Sequence, residues 1–312
     1  MVKEWLVIKQ IAVLFLMTFL LLLNEASCAS NFEEFNNSIQ KNDLKHAKAV
    51  LDKWGGNKEN DPQYYICLFN YHINKSRAEG IGIQKKPPKV EKTIEITDPK
   101  TKETVGFFAP VVHYDGDEAQ KGINYLKQGI NKFPDHYEMR FGLLYIYKEL
   151  YQLENYLTAL ESSLSYYKKN NLKRIYWNNN EIRSNPAEFI VETVQGNFSA
   201  LSDDENFREN ENFEHKYCDL LIKYFPKHKY GYSDKGVVYY KYKDFKRALE
   251  YFLKAYNLDP EDDLIAFNMG FLYKEMNDKE NSRRYFKRVV ELGKDESSVL
   301  GAKEQLKLLG SK

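Results

Sequence analysis

The stretch from Lys229 to Pro260, KYGYSDKGVVYYKYKDFKRALEYFLKAYNLDP, decides the fold, because its pattern returns in the chain that follows. The residue types that recur at a step of 34 are Gly236 and Gly270, Tyr239 and Tyr273, Phe252 and Phe286. At the same step Ala248 is followed by Ser282, and Pro260 is preceded by Pro226. A fixed step of this length predicts an array of structural repeats, each burying its apolar face against the next.

Each repeat is predicted to consist of two antiparallel helices. The second helix of the quoted stretch has an apolar stripe at helical spacing, made of Phe245, Ala248, Leu249, Phe252, Leu253 and Tyr256. Small residues such as Gly236 let the two helices approach closely, and large ones such as Tyr239 fill the space between them. Pro260 ends the second helix, because proline cannot continue the helical hydrogen-bond ladder.

These positions resemble the tetratricopeptide repeat (TPR) family, with glycine in the eighth place followed by Tyr, Ala, Phe, Ala and Pro. The resemblance is strongest from about 208 to 294 and weakens towards the N-terminus. It implies an all-α fold, a TPR-like α-solenoid of antiparallel helix pairs. The sequence adds to this a small β-hairpin insertion and a C-terminal capping helix.

The expected organisation follows from where these patterns begin and end. In chain order we expect a signal peptide at 1–29, degenerate N-terminal TPR-like helices at 30–78, an inserted loop with a β-hairpin at 79–117, TPR-like helices at 118–169, an irregular linker at 170–184, a TPR-like unit at 185–228, two TPRs at 229–262 and 263–296, and a capping helix at 297–312.

The insertion lies between the two helices of one repeat. From Val90 to Phe108 the residues alternate as in strands, with a turn at 98–101. Insertions within a repeat map to one edge of a solenoid and are often functional. We therefore expect either a second contact surface for a partner or a tolerated surface loop.

The N-terminus has the features of an export signal. A charged start precedes the apolar run Ile11–Leu23, which is 13 residues long and suits a signal-peptide core better than a membrane span. Small residues follow, so we expect cleavage between Ala29 and Ser30. Cys28 offers an alternative, because its surroundings resemble a bacterial lipobox and would make it a lipidation site, although Glu25 departs from that pattern. Both alternatives place the protein in the periplasm or cell envelope.

Chemistry-bearing motifs are missing from the sequence. Lys+Arg number 46 and Asp+Glu 45, so there is no basic surface suited to nucleic acid. No phosphate-binding glycine loop, zinc spacing or nucleophile motif occurs. Asp115 and Glu118 match a helix-capping box better than a calcium loop, and Cys67 and Cys218 are expected to be buried without a disulfide. We predict no catalytic residue, metal or cofactor.

The TPR resemblance implies a partner-binding groove lined by the first helix of each repeat. In the two clearest repeats the lining positions hold Tyr230, Ser233, Val237, Tyr240 and Lys241, then Leu264, Phe267, Phe271, Lys274 and Glu275. From these and the neighbouring asparagine, the predicted contacts are Tyr230, Tyr240, Lys241, Phe267, Asn268, Phe271 and Lys274. The alternative is that the aromatic rings pack against a neighbouring helix.

The sequence favours a non-enzymatic scaffold that binds a protein or peptide segment in this aromatic groove. No nucleic acid is expected as a partner, and a membrane only through the lipid anchor. Two other classes stay open. One is an envelope protein that binds glycans or peptides, with Trp177 as a stacking platform. The other is an enzyme whose site lies unrecognised in the inserted or irregular loops.

Overall fold

The computed structural model describes residues 31–54, 58–84, 94–182, 184–203 and 210–310. The chain forms two compact units. The N-terminal unit contains the described residues up to Gln152 together with Ile175–Ile182, and the C-terminal unit contains Leu153–Arg174 and the described residues after 183. The predicted signal segment, including Cys28, Ala29 and Ser30, lies outside the described residues.

The helices of the N-terminal unit are α1 (Asn31–Gln40), α2 (Leu44–Lys53), α3 (Pro62–Ser76), α4 (Gly116–Lys132) and α5 (Tyr137–Glu149), with a short 3-10 helix at Lys58–Asn60. Phe35, Ala47 and Cys67 are fully buried where α1, α2 and α3 meet. Helices α3 and α4 pack closely, since a Cβ added to Gly129 would lie 2.8 Å from the Cβ of Tyr65. They form the helix pair that the insertion interrupts.

The insertion is a three-stranded antiparallel sheet, so the predicted hairpin is incomplete. Strands β2 (Ile94–Thr97) and β3 (Thr104–Tyr114) are that hairpin, joined by the predicted turn, in which Asp98 accepts hydrogen bonds from the backbone of Lys100 and Thr101. The missing strand is β1 (Arg77–Gln84), which continues directly from α3 and pairs with β3 from Arg77↔Tyr114 onward. The sheet order is β1-β3-β2.

The prediction of an irregular linker at 170–184 is wrong in one respect, because this segment contains a second hairpin. Strands β4 (Ile175–Trp177) and β5 (Asn180–Ile182) are joined by Asn178 and Asn179, whose φ angles are 51° and 59°. Asparagine tolerates this left-handed conformation, which two-residue hairpin turns require. The hairpin belongs to the N-terminal unit, where the ring of Tyr176 stacks on His136 at 4.7 Å.

The C-terminal unit contains α6 (Leu153–Asn170), α7 (Pro186–Asp203), α8 (Glu211–Tyr224), α9 (Lys229–Lys241), α10 (Phe245–Leu258), α11 (Asp263–Glu275), α12 (Lys279–Leu292) and α13 (Glu296–Gly310). The predicted segment 118–169 is divided between the two units, since α5 belongs to the N-terminal unit and α6 to the C-terminal one. Helix α6 packs on α8, through the rings of Tyr156 and Tyr217.

One turn recurs at the C-termini of α1, α5, α9 and α11. The residues in the left-handed conformation are Asn42, Tyr151, Lys243 and Asn277. In each case the next residue donates its N–H to a carbonyl five residues back, as Asp244 does to Tyr239 and Asp278 to Tyr273, both at 2.9 Å. This is the Schellman arrangement. Its recurrence shows that the local repeat structure extends beyond the stretch where the sequence repeats clearly.

Two smaller predictions concern Asp115 and the cysteines. Asp115 caps α4 by accepting the N–H of Glu118 at 2.8 Å, whereas the Glu118 carboxylate binds His72 at 2.7 Å instead of completing a capping box. Cys67 and Cys218 are both free and buried, as predicted, and burial raises the pKa of each thiol.

Among the described helices, none combines the length and hydrophobicity needed to cross a bilayer.

Candidate interaction surface

The two clearest repeats are held together by the same glycine–phenylalanine contact. A Cβ added to Gly236 would lie 2.7 Å from Cδ1 of Phe252, and one added to Gly270 would lie 2.7 Å from Cε1 of Phe286. Both phenylalanines are buried. A side chain larger than hydrogen does not fit between the helices at these points, which explains why the two residue types recur together at a fixed step.

Ion pairs tie the start of α9 to the segment that leads into α11. Lys229, at the start of α9, forms ion pairs with Asp259 at 2.6 Å and Asp262 at 2.5 Å, which ties one repeat to the next. Burial disfavours the charged form of Lys229, but the two carboxylates outweigh it and raise its pKa. Tyr230 is half-buried beside it, with its ring 4.8 Å from that of His228.

Lys241 is engaged within the protein. Its Nζ lies 2.6 Å from Oε1 of Glu214 on α8, and the Tyr242 hydroxyl donates to the other carboxylate oxygen at 3.1 Å. The Glu214 side chain is only 3% exposed. A buried carboxylate of this kind needs its partners. Lys241 therefore stabilises the packing of α9 on α8, and drawing it away to a ligand would be costly.

Phe267 and Phe271 form an aromatic cluster with Phe286. The rings of Phe267 and Phe271 are 4.9 Å apart, and that of Phe271 is 5.2 Å from Phe286, both in edge-to-face geometry. Phe267 also reaches the capping helix α13, where a Cβ added to Gly301 would lie 2.9 Å from its Cζ. Phe267 therefore packs on the capping helix, and one edge of the half-buried Phe271 packs on Phe286 of α12.

Lys274 also contacts the capping helix, since its Nζ donates to the side chain of Gln305 at 2.7 Å. Asn268 is half-buried on α11. The predicted set is therefore not one continuous trough of free side chains. Lys241, Phe267 and Lys274 have partners inside the protein, and Ser233 is buried.

Apart from the residues engaged in these contacts, α9 and α11 have apolar side chains exposed to solvent. Val237 on α9 is 39% exposed and Leu264 on α11 is 48% exposed. Tyr240 and Phe271 are half-buried beside them, and burial together with the charge of Glu275 raises the pKa of the Tyr240 hydroxyl. We call Val237, Tyr240, Leu264 and Phe271 the first-helix face. It offers large apolar contacts and no free cation of its own.

Asp234 is a feature that the sequence analysis missed. It lies on α9 with 7% of its surface exposed, and its buried Oδ2 has no hydrogen-bond partner. Burial raises the pKa of this carboxyl to about 8, although a hydrogen bond to Gln195 on α7 acts in the opposite direction. Within the described residues, no group of His, Cys, Asp and Glu side chains is arranged to hold a metal ion.

Comparison with known families decides the nature of this region. Two tetratricopeptide repeat models match, one at residues 230–262 and one at 265–295. These two segments are tetratricopeptide repeats. The matched TPRs coincide with the helix pairs α9–α10 and α11–α12, whose exact sequence step predicted them.

Several solved structures resemble the chain at low identity. MamA from Desulfovibrio magneticus RS-1 is 14% identical, with 57% of this chain and 86% of that one covered and a TM-score of 0.36. YrrB, described as a TPR protein with an unusual peptide-binding site, is 12% identical over 60% and 84%, with a TM-score of 0.37. PilW, a type IV pilus biogenesis factor, is 10% identical over 88% and 99%, with a TM-score of 0.39. No curated protein matches the chain.

Proposed function

We propose that the protein is a non-enzymatic scaffold that binds a segment of a partner protein along the first-helix face. TPRs stack into solenoids whose curvature creates extended concave surfaces for binding. The observation that carries the proposal is the exposure of Val237 and Leu264 beside the half-buried Tyr240 and Phe271. Apolar and aromatic side chains on helices held rigid by the Gly236–Phe252 packing are the kind of contact that dominates protein recognition.

The chemistry of the face favours an apolar partner segment. Lys241 and Lys274 are already engaged by Glu214 and Gln305, so they offer little to an acidic ligand. The charge that helps to raise the pKa of the Tyr240 hydroxyl is that of Glu275. A segment that presents apolar side chains, with a basic residue near one end, fits this surface best.

We also propose that the protein works in the cell envelope. This location rests on the apolar run Ile11–Leu23 and the small residues after it. Mass spectrometry of the mature N-terminus separates the two processing routes. A chain beginning at Ser30 supports the cleaved form, a lipidated Cys28 supports a lipoprotein, and an unprocessed Met1 contradicts export by either route.

Co-purification from cross-linked cell envelopes tests the binding proposal. Tyr240→Ala combined with Val237→Ser removes apolar contacts from the first-helix face. Leu253→Ala is the matched control, because Leu253 is 36% exposed on the second helix α10. We expect the double variant to lose a partner that the control retains, with unchanged helicity in both. Equal partner recovery from all three proteins would contradict the proposal.

A further inference from the structure

The three-stranded sheet of the N-terminal unit has one apolar face with nothing packed on it among the described residues. Residues paired across strands share a face, and Ile83, Phe108 and Ile94 form one row across all three strands. Ile81 pairs with Pro110 in the next row, and Val112 lies beyond. We call these six residues the apolar sheet face: Ile81, Ile83, Ile94, Phe108, Pro110 and Val112.

These side chains are exposed to a degree unusual for their type. Ile81 is 80% exposed, Ile94 68% and Ile83 67%, and Phe108 and Val112 are exposed as well. The other face of the sheet is different, because there Ala109 is 1% exposed and Val111 lies over Gly82, where an added Cβ would be 2.7 Å from its Cγ1. One face is therefore filled from within the sheet, and the other is open.

We propose that the apolar sheet face is a homodimer interface, in which the sheets of two copies of this chain pack face to face about a two-fold axis. This inference is independent of the proposed partner binding, since it concerns a different unit and different residues. Two twisted sheets packed in this way interdigitate their side chains across about 10 Å.

The area of the face suits a second copy. From the exposed fractions of its six side chains, the face has on the order of 500 Å² of apolar surface, near the upper end for a single patch on a monomer. Two such faces together bury about 1,000 Å², which is the lower end for a specific protein interface. A patch that meets its own copy across a two-fold axis matches itself in polarity and size.

The chemistry argues against two other occupants. A peptide strand added to the edge of β1 or β2 would use backbone hydrogen bonds and leave the apolar sheet face exposed. A lipid surface would attract a patch rimmed by cations. Arg77, which lies at one end of this face, is instead neutralised by an ion pair with Glu79 at 2.7 Å. The connection between β1 and β2 does carry Lys85, Lys86, Lys89 and Lys92, so lipid binding must be measured in parallel.

Sedimentation velocity of the full chain from about 1 µM to about 100 µM tests the proposal. We expect a reversible monomer–dimer equilibrium in the wild type. Ile81→Glu places a charge on the face without affecting the fold, because the side chain is 80% exposed, and should weaken dimerisation about 100-fold or more. Phe108→Glu is a second variant with the same expected effect. His113→Glu is the control, since the exposed His113 pairs with Ala78 on the opposite face of the same strand, and this variant should still dimerise.

Three results would overturn the proposal. One is a wild type that stays monomeric throughout the range, and another is a dimer that Ile81→Glu and Phe108→Glu leave intact. The third is binding of the monomer to vesicles of phosphatidylglycerol and phosphatidylethanolamine that Ile81→Glu abolishes, which would assign the face to a membrane surface.

Discussion

Gly236→Ala tests the packing that positions the first-helix face. The added Cβ would lie 2.7 Å from Cδ1 and 2.8 Å from Cε1 of Phe252, a ring that is 1% exposed. Ordinary contact begins at 3.4 Å, so the ring or the helix must shift by about 0.7 Å. Overpacking of this kind costs about 1 to 3 kcal/mol. The better helix propensity of alanine offsets about 0.5 to 1 kcal/mol of this cost.

Gly196→Ala isolates the propensity contribution. Gly196 lies inside α7, and an added Cβ would meet nothing within 4 Å. This control should therefore gain about 0.5 to 1 kcal/mol of stability. Urea unfolding followed by far-ultraviolet circular dichroism should show Gly236→Ala less stable than Gly196→Ala by about 1 to 3 kcal/mol. If the two variants unfold at the same urea concentration, the close approach of α9 to Phe252 is wrong.

Three further predictions follow from local contacts. Lys243→Gly should raise stability by up to about 1 kcal/mol, because Lys243 has a φ of 63°, and Asn277→Gly should gain less, since asparagine tolerates this conformation. Asp234→Asn should stabilise the fold increasingly as pH rises from about 4 to about 8, because over that range the folded state retains a proton that the unfolded chain has released. Lys241→Ala should cost about 3 kcal/mol by leaving the Glu214 carboxylate buried without its cation, and adding Glu214→Gln should recover part of the loss.

Chemical or thermal unfolding can contradict each of these three predictions. A loss of stability in Lys243→Gly would show that the lysine side chain, and not its backbone conformation, matters at the turn. A stability gain in Asp234→Asn that does not change with pH would show that the carboxyl titrates normally. Strict additivity of the Lys241 and Glu214 substitutions would show that the two side chains are not coupled.

The repeats could be predicted from sequence because their determinants are local and recur. Gly236 with Phe252 and Gly270 with Phe286 are the same contact, so the step of 34 residues reports a real packing constraint. The cap at Asp115 was equally readable, since Asp115 accepts the N–H of Glu118.

The strands that were missed had weaker local signals. Strand β1 contains Gly80 and Gly82, which have low strand propensity, and its partner β3 is remote in sequence. The hairpin β4–β5 did have a signal, because the pair Asn178-Asn179 suits a two-residue turn. The pair was instead included in the predicted irregular linker at 170–184.

The limits of the groove prediction have a different cause. The TPR pattern places Lys241, Phe267 and Lys274 on one face of the first helices, but spacing along one helix does not reveal what other helices bring to that face. Glu214 comes from α8, and Gln305 comes from the capping helix. Only the packed structure shows that these side chains are already engaged.

Site-specific photo-cross-linking in intact cells tests the central claim most directly. A benzoyl-phenylalanine at Val237 would lie on the first-helix face, and one at Leu253 on the second helix α10, at similar exposures of 39% and 36%. The proposed function predicts a discrete cross-linked partner from position 237 and none from 253, with the partner lost when Phe271→Ala is added. The same adduct from both positions, or adducts from position 253 alone, would contradict it.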